Sequence, residues 1–267
     1  MIRVIVCGAS GRMGSEVIRA VCREPDMELA GAVDPVQAGS DAGIVAGLKP
    51  LGVRIEEDIG TLLGQTKADV MVDFTTPQAA PGNARTAIAY GVRPVIGTTG
   101  INEADQKEVE ALCNRQRLGG VIAPNFAIGA VLMMRFAATA AKFFPAVEII
   151  ELHHDGKLDA PSGTALTTAE LVSRARETMT YEVAKPRVEK LAGVRGGEFH
   201  KGIRIHSVRL PGLVAHQEVI FGGDGQTLTI RHDSISRASF MPGVVLAIRR
   251  VMELDRLVYG LDRLIFG

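Results

Sequence analysis

The sequence has no tryptophan, few aromatic residues and only three cysteines, and neither sign of charge predominates. Lys and Arg total 30 and Asp and Glu total 30, so no basic excess indicates nucleic acid as a partner. Cys7, Cys22 and Cys113 lack the paired spacing of a disulfide framework or a zinc site, which favours a reducing compartment. No apolar run approaches the roughly 20 residues that span a bilayer. We therefore expect a cytoplasmic protein with no nucleic-acid partner, no membrane partner and no bound metal.

The start of the chain predicts a strand, a glycine turn, a helix and a second strand. Residues 2–7 form a short, β-branched apolar run that is typical of a strand buried on both faces of a parallel sheet. Apolar residues then recur at helical spacing from Met13 to Val21, and Pro25 ends that helix. A second apolar run covers residues 27–34. This order is a βαβ unit with a right-handed crossover.

The rest of the chain changes character near residue 127. Buried strands are predicted before it at 68–74, 94–96 and 120–123, with helices at 76–90 and 102–115 between them. After it the pattern predicts a helix at 131–144, a strand at 147–152, a helix opening at Ser162, three half-polar strands at 203–209, 216–221 and 227–232, and a helical tail from Pro242.

These patterns predict an α/β protein of two domains. We expect a Rossmann-type dinucleotide-binding domain over residues 1–126. An α+β substrate-binding and oligomerisation domain with a mixed or antiparallel sheet is expected over 127–236. The helical segment 237–267 is expected to return to the first domain, because chain ends often lie close together.

A glycine-rich turn follows the first strand, at Gly8-Ala9-Ser10-Gly11-Arg12-Met13-Gly14. Glycines there allow a tight turn, close approach of a pyrophosphate and close helix–strand packing, and the helix N-terminus attracts the phosphates. The spacing is GxxGxxG rather than GxGxxG, but Asp34 lies 20 residues beyond Gly14, where an acid can accept hydrogen bonds from ribose hydroxyls. The alternative is a structural turn with Asp34 as an ordinary strand-end cap.

Asp34 also predicts the choice of cofactor. Its carboxylate would repel the 2′-phosphate of NADP, and Pro35 and Val36 add no compensating charge, which leaves Arg12 as the one residue that could offset part of the repulsion. We expect NADH to be preferred and NADPH to be tolerated.

Two further segments fall at the carboxyl ends of strands, where α/β sheets bind ligands, although each is as typical of a plain loop: Gly97-Thr98-Thr99-Gly100 and Ala123-Pro124-Asn125-Phe126.

The densest cluster of chemically active residues lies between 151 and 165. His153 and His154 can exchange protons near neutral pH, and Lys157 adds a positive charge and a further donor. Ser162, Gly163 and Thr164 open a helix whose N–H groups favour a carboxylate or phosphate. Together they predict a site that binds a small anionic substrate and protonates it. The alternative is a pair of surface histidines beside a ligand-free N-cap. The remaining histidines, His200, His206, His216 and His232, are isolated and are expected to be structural or surface groups.

With these segments in view, the whole chain resembles the 4-hydroxy-tetrahydrodipicolinate reductase family, also called dihydrodipicolinate reductase. The resemblance is carried by residues 8–14, Asp73-Phe74-Thr75, 97–100, 123–126 and, most specifically, 151–154 through 163–165. It implies a homotetrameric enzyme of diaminopimelate and lysine biosynthesis that uses NADH or NADPH. It also implies that His153 and Lys157 donate protons, and that His154, Gly163 and Thr164 hold the carboxylates of the substrate. The cofactor would be lined by Gly8, Ala9, Ser10, Gly11, Arg12, Met13, Asp34, Gly97, Thr98, Thr99, Ala123, Pro124, Asn125 and Phe126.

The implied reaction transfers a hydride from the nicotinamide to a cyclic, conjugated imine dicarboxylate, which protonated His153 then protonates. Domain closure about hinges near residue 127 and near residues 234–237 would exclude water. Two other functions share the glycine turn: another NAD-dependent amino- or hydroxy-acid dehydrogenase, and a non-catalytic NAD-binding redox sensor. Neither needs the cluster that contains His153 and Lys157.

Overall fold

The structure is a computed structural model that describes residues 1–176 and 188–267. It divides the chain into two compact units, one of residues 1–127 together with 240–267, and one of residues 128–239. Within the described ranges, no helix is long and apolar enough to cross a membrane.

The first unit contains a fully parallel sheet flanked by helices. Its elements are β1 Ile2–Cys7, α1 Arg12–Val21, β2 Met27–Val33, α2 Ala42–Val45, β3 Ile55–Glu56, α3 Ile59–Gln65, β4 Val70–Asp73, α4 Ala80–Ala89, β5 Arg93–Ile96, α5 Glu103–Gln116, β6 Gly120–Ile122, and, from the end of the chain, α8 Met241–Val251, β12 Leu257–Tyr259 and α9 Leu261–Phe266.

The strand order of this sheet is β12-β6-β5-β4-β1-β2-β3. From β3 to β6 this is the order 3-2-1-4-5-6 of a dinucleotide-binding fold, in which ligands bind where the order reverses, beside β1 and β4. The central strands are apolar and fully buried, as at Val4, Val6, Val70 and Val95, because helices cover both faces. The α/β prediction for this part of the chain is therefore confirmed.

The end of the chain differs from the prediction of a wholly helical segment. Leu257–Tyr259 form β12, which pairs in parallel with β6 and extends the sheet by one strand. A run of three residues is too short for its alternation to predict a strand. Only its pairing with residues 120–122 makes it one.

The second unit packs helices on a five-stranded mixed sheet of order β11-β10-β7-β9-β8. Its helices and strands are α6 Ile128–Ala140, β7 Ala146–His153, α7 Gly163–Ala175, β8 Gly197–Glu198, β9 Arg204–Arg209, β10 Ala215–Gly223 and β11 Gln226–Ser234. Pairing is antiparallel between β7 and β10, but β9 runs parallel to β7, since the chain between them makes a crossover that includes α7. Of the two sheet types predicted for this domain, mixed or antiparallel, the structure shows the mixed one.

The predicted helix at 131–144 also differs, because α6 begins at Ile128 and ends at Ala140. The apolar run continues past the end of the helix since Phe144 packs beside Phe221 of β10, with ring centroids 5.9 Å apart. The residues after α6 are thus apolar because they pack on the sheet, and not because the helix continues.

Candidate active site

The glycine turn between β1 and α1 packs so closely against neighbouring backbone that two of its positions leave no space for a side chain. Gly8 has φ +80°, a conformation that side chains other than glycine rarely adopt, and a Cβ on it would lie 2.5 Å from the carbonyl oxygen of Phe74. A Cβ on Gly14 would lie 2.0 Å from the carbonyl oxygen of Gly8. The N–H of Ser15 makes the first intrahelical bond of α1, to Gly11, so the amides of residues 12–14 precede that ladder. This cradle fits a pyrophosphate.

Asp34 lies at the end of β2 with only 7% of its surface exposed. One carboxylate oxygen accepts the N–H of Ser10 at 3.0 Å, and the other accepts the N–H of Val36 at 3.0 Å. The two amides fix the side chain against the glycine turn. Each oxygen retains acceptor capacity for the hydroxyl groups of a ribose.

A cavity of about 790 Å³ opens beside this turn. Gly8, Ser10, Gly11 and Asp34 line it, and so do Glu57 and Asp58 of the segment between β3 and α3. The described residues of its lining include these three acids and no basic side chain. A nicotinamide dinucleotide fits this cavity at its glycine cradle and at its ribose-binding carboxylate.

The fully buried carboxylate of Asp73, at the end of β4, connects the loops beside that cavity. One oxygen accepts the hydroxyls of Thr75 and Thr98, both at 2.7 Å, and the N–H of Thr75 at 3.0 Å. The other accepts the side-chain amide of Asn83 in α4 at 2.8 Å. Thr75 and Asn83 line the cavity, so Asp73 positions part of its wall.

The two predicted strand-end segments lie around the ring of Phe74, which also lines the cavity. A Cβ on Gly97 would lie 2.1 Å from a carbon of that ring, so only glycine leaves room for it. The ring of Phe126 packs at a centroid distance of 5.9 Å. Gly97 and Phe126 therefore pack against Phe74, while Thr98 is bonded to Asp73. Thr99 and residues 123–125 belong to the same two segments.

The second cluster is centred on a buried carboxylate, Glu151, whose side chain is 0% exposed. Its Oε2 lies 2.5 Å from Nδ1 of His153. Arg209 of β9 donates to both Glu151 oxygens, at 3.0 and 2.8 Å, and to the carbonyl oxygen of Asp159 at 2.7 Å. The N–H of Ser162 donates to Oε1 at 3.3 Å.

Burial and hydrogen bonding act in opposite directions on this pair. Burial raises the pKa of Glu151, but hydrogen bonds from Arg209, Ser207 and His153 outweigh it, so the pKa lies below its ordinary value. Burial lowers the pKa of His153 and the Glu151 carboxylate raises it, but the charges of Lys157 and Arg209 act with burial, so the pKa lies below its ordinary value. Glu151 is thus ionised at neutral pH, and His153 titrates below its ordinary range.

The other predicted residues of this cluster lie in the loop after β7 and in the first turn of α7. Lys157 donates from Nζ to Asp159 at 2.6 Å and holds the pKa of that carboxyl below its usual value, while His154 is exposed. Ser162 is the N-cap of α7, since its hydroxyl accepts the N–H of Ala165 at 3.2 Å. Gly163 and Thr164 occupy the first turn, and a Cβ on Gly163 would meet no atom within 4 Å. The first turn of α7 therefore has open space for an anion at Gly163.

Comparisons with known proteins agree with this geometry. "Dihydrodipicolinate reductase, N-terminus" matches residues 2–126, and "Dihydrodipicolinate reductase, C-terminus" matches residues 129–265. A 4-hydroxy-tetrahydrodipicolinate reductase of Desulfitobacterium hafniense (strain DSM 10664 / DCB-2) is 55% identical, over 98% of this chain and 97% of that protein. One from Moorella thermoacetica is 53% identical, over 99% and 98%. The chain belongs to the dihydrodipicolinate reductase family.

Solved structures support the same assignment. The dipicolinate-bound dihydrodipicolinate reductase from Paenisporosarcina sp. TG-14 has a TM-score of 0.86 and 45% identity, covering 98% of this chain and 99% of that one. An amine dehydrogenase from Mycobacterium smegmatis, with a TM-score of 0.67 at 15% identity, shares the fold alone. The resemblance, the fold class and the reductase function predicted from the sequence are confirmed, and so is a nicotinamide cofactor.

Several polar residues of this reductase were not among the site residues predicted from the sequence. Glu151 could have been found, because residues two apart on a strand share a face and Glu151 precedes His153 by two. Arg209, Asn83 and Glu57 had no local signal, since each reaches its site from a distant part of the chain.

The isolated histidines have partners of their own. Nε2 of His206 lies 2.8 Å from Glu148, and Nδ1 of His216 lies 2.6 Å from Asp233. His232 packs beside Gly129, where a Cβ would lie 2.4 Å from its ring. In the described part of the chain, no group of three or more His, Cys, Asp or Glu side chains is placed to hold a metal.

Proposed function

We propose that the chain catalyses the 4-hydroxy-tetrahydrodipicolinate reductase reaction, in which the 4-hydroxyl group leaves as water and NADH or NADPH reduces the resulting cyclic imine dicarboxylate to tetrahydrodipicolinate. The observation that carries the proposal is the arrangement of His153 beside the first turn of α7. A ring nitrogen whose partner nitrogen is held by Glu151 lies in the same cluster as a capped helix N-terminus and Lys157. A small dicarboxylate can be bound and protonated by such a cluster.

Each residue of the cluster has a proposed role. The negative charge of the bound substrate favours the protonated form of His153, which then gives the proton on Nε2 to the substrate. Lys157 offsets the negative charge of the substrate and supplies a second donor. The first turn of α7 at Gly163 and Thr164 binds one carboxylate, and His154 faces the other. The dipicolinate bound to the Paenisporosarcina reductase is itself a planar dicarboxylate, which fits this division of roles.

The first unit holds the cofactor in this proposal. A bound reduced nicotinamide supplies the hydride. The turn at Gly8 to Gly14 binds the pyrophosphate, and Asp34 binds the adenine ribose. The other residues proposed to position the cofactor are Gly97, Thr98, Thr99, Ala123, Pro124, Asn125 and Phe126.

We further propose that NADH is preferred over NADPH. The 2′-phosphate of NADPH would enter a cavity whose lining contains the carboxylates of Asp34, Glu57 and Asp58. Like charges in a confined cavity repel, and no basic side chain of the described lining offsets them. Pro35 follows Asp34 and contributes no charge.

Three further expectations stay predictions: a homotetramer, a cytoplasmic location, and closure about residues 127 and 234–237.

The test is loss of nicotinamide absorbance in a coupled assay. Pyruvate and aspartate semialdehyde, with the synthase that condenses them, generate the labile substrate in place, and NADH and NADPH are compared at equal concentration. We expect oxidation that requires both proteins, with the larger kcat/KM for NADH. NADH binding without oxidation would reject the reaction and favour the dehydrogenase or the sensor. Equal kcat/KM values for the two cofactors would reject the preference alone.

A further inference from the structure

A fully buried carboxylate lies behind the histidine to which the reaction assigns proton transfer. Glu151 and His153 lie two residues apart on β7, so their side chains share one face of the sheet. Oε2 of Glu151 and Nδ1 of His153 lie within hydrogen-bond distance, and a hydrogen bond to an ionised carboxylate is charge-assisted. The carboxylate therefore requires a proton on Nδ1.

We propose that Glu151, clamped by Arg209, is a positioning residue that holds the proton of His153 on Nδ1 and thereby makes Nε2 the proton-donating atom. This inference rests on the proposed function, because it explains how one nitrogen of His153 is selected for the reaction. Protonated His153 carries a hydrogen on each nitrogen. After the Nε2 proton is transferred, the remaining Nδ1–H stays on Glu151, so the neutral ring is left in a single tautomer and orientation.

Every contact that surrounds Glu151 favours its ionised form. Arg209 donates to both oxygens, Ser162 donates its N–H to Oε1, and His153 occupies Oε2. A proton on either oxygen would face another donor, which a buried site does not tolerate. The charge is fixed in place because Arg209 is itself anchored, on the carbonyl oxygens of Val208 and Asp159.

The same carboxylate joins the proton donor to the anion site. Ser162, the N-cap of α7, donates its backbone N–H to Glu151, while its hydroxyl caps the helix. Arg209 connects Glu151 to the carbonyl oxygen of Asp159, in the loop that carries Lys157. Glu151 therefore contacts both ends of the loop between β7 and α7, His153 at its start and Ser162 at its end. These contacts fix the position of the proton donor relative to the helix N-terminus.

The first measurement uses the wild-type protein with ¹⁵N-labelled histidine. The ring nitrogen signals of His153 are identified by their absence in His153→Gln and followed between pH 5 and 9 by NMR. We expect the neutral ring to carry its proton on Nδ1. A neutral ring with the proton on Nε2 would overturn the inference, whatever the activity of the enzyme.

The second measurement uses the double substitution Glu151→Gln with Arg209→Met. In the single variant Glu151→Gln, the NH₂ group of the glutamine would face the N–H groups of Arg209, so two donors would oppose each other. Replacing Arg209 as well removes both buried charges and avoids this contact. Glu151 raises the pKa of His153 more than Arg209 lowers that pKa, so the loss of both charges should lower it. Lys157 also lowers the pKa of His153, but it is retained in this variant. On the neighbouring strand β10, the residue opposite His153 is the uncharged Ala215. We expect kcat to fall about 10²-fold and the high-pH limb of the kcat profile to move to lower pH, with the Kd of NADH unchanged.

Glu148→Gln is the matched control, because Glu148 lies on the same strand and also contacts a histidine, His206. It should leave kcat and the pH profile unchanged. A double variant with a wild-type pH profile would overturn the role of Glu151. An inactive wild-type enzyme would instead overturn the proposed function, so the two failures are distinguishable.

Discussion

Two histidines of the second unit contact glutamates of β7, and burial separates their roles. Glu151 is 0% exposed beside His153, whereas Glu148 is 34% exposed beside His206 and also contacts Arg195. A buried charge pair holds one geometry, while a pair open to water is screened and contributes about 0–1 kcal/mol. Identical residue types thus form a site in one place and a surface contact in the other.

Replacement of His153 by glutamine tests the proton donor directly. Glutamine keeps a polar side chain of similar length but cannot deliver a proton at neutral pH. We expect kcat in the coupled assay to fall about 10²-fold or more, with little change in the Kd of NADH. His206→Gln, which alters the half-exposed pair, should leave kcat unchanged. An unaltered kcat in His153→Gln would remove that residue from proton transfer.

Replacement of Asp34 by asparagine tests the choice of cofactor. The change removes the charge that opposes a 2′-phosphate and leaves an oxygen for one ribose hydroxyl. We expect kcat/KM for NADPH to rise relative to that for NADH, and Glu57→Gln to shift the ratio in the same direction. Asp41→Asn is the control, since Asp41 caps α2 and is not part of the cavity lining. A ratio unchanged in Asp34→Asn would mean that other groups set the preference.

Two helix N-termini are proposed to form the binding sites, and their local construction differs. At α1 a glycine cap brings backbone amides to the ligand without a side-chain cap. At α7 the hydroxyl of Ser162 satisfies the N–H of Ala165, which leaves the first turn, at Gly163, as the open position. The first arrangement suits an extended pyrophosphate, and the second suits a compact carboxylate.

Gly14→Ala tests the close approach at α1. The added Cβ would lie 2.0 Å from the carbonyl oxygen of Gly8, so the backbone of the turn must move. Strain of about 1–3 kcal/mol corresponds to a loss of NADH affinity of about 5- to 150-fold, measured as Kd by NADH fluorescence. Gly64→Ala in α3 is the control, because no atom lies within 4 Å of its Cβ, and it should stabilise the protein by about 0.5–1 kcal/mol. Equal Kd values in the two variants would exclude steric control by the turn.

An exchange between Asp73 and Asn83 tests the support of the cavity wall by β4. In Asp73→Asn the side-chain oxygen stays on the N–H of Thr75 and the NH₂ group faces Asn83, whose amide must turn over to accept from it, so we expect a several-fold increase in KM for NADH. The double substitution Asp73→Asn with Asn83→Asp reverses the donor and the acceptor, so it should recover part of the lost affinity. Thermal unfolding of all three variants gives the change in stability. If the double variant were no better than Asp73→Asn, the hydrogen-bond pattern would not be the cause.

The whole molecule should lose stability in acid in two stages. Burial lowers the pKa of His153 and of His232, so the unfolded chain binds more protons than the folded one below about pH 6.5. The free energy of unfolding therefore falls from pH 7 to pH 5. Carboxylates with lowered pKa, such as Asp69 beside Arg3, extend the fall below about pH 4, where the unfolded carboxylates become protonated.

Urea unfolding followed by circular dichroism measures this dependence, since the chain has no tryptophan to report by fluorescence. The midpoint urea concentration should decrease from pH 7 to pH 5, and His232→Asn should reduce that decrease. His200 is exposed, so His200→Gln should leave it unchanged. A midpoint that stays constant over this range would contradict the contribution of the buried histidines.

Much of the cofactor unit could be predicted because its decisive features are local. The order of β1, glycine turn, α1 and β2 occupies the first 33 residues, and each part has its own period or cap. The N-cap Ser162 was predicted for the same reason, and its hydroxyl accepts the backbone N–H of Ala165, three residues later. His153, Lys157 and Gly163 are close in the chain, so their cluster was visible without a fold.

Contacts between distant parts of the chain could not be predicted in this way. Arg209 reaches Glu151 across 58 residues through the parallel register of β7 and β9, and β12 joins β6 from the far end of the chain. Glu57 and Asp58 reach the cavity of Asp34 because β3 pairs with β2. Helix caps and hydrophobic periods act over a few residues, so the order of amino acids encodes them directly. Strand register and buried ion pairs form only when packing brings distant segments together, and that packing placed the charges on which the proposed cofactor preference and proton transfer depend.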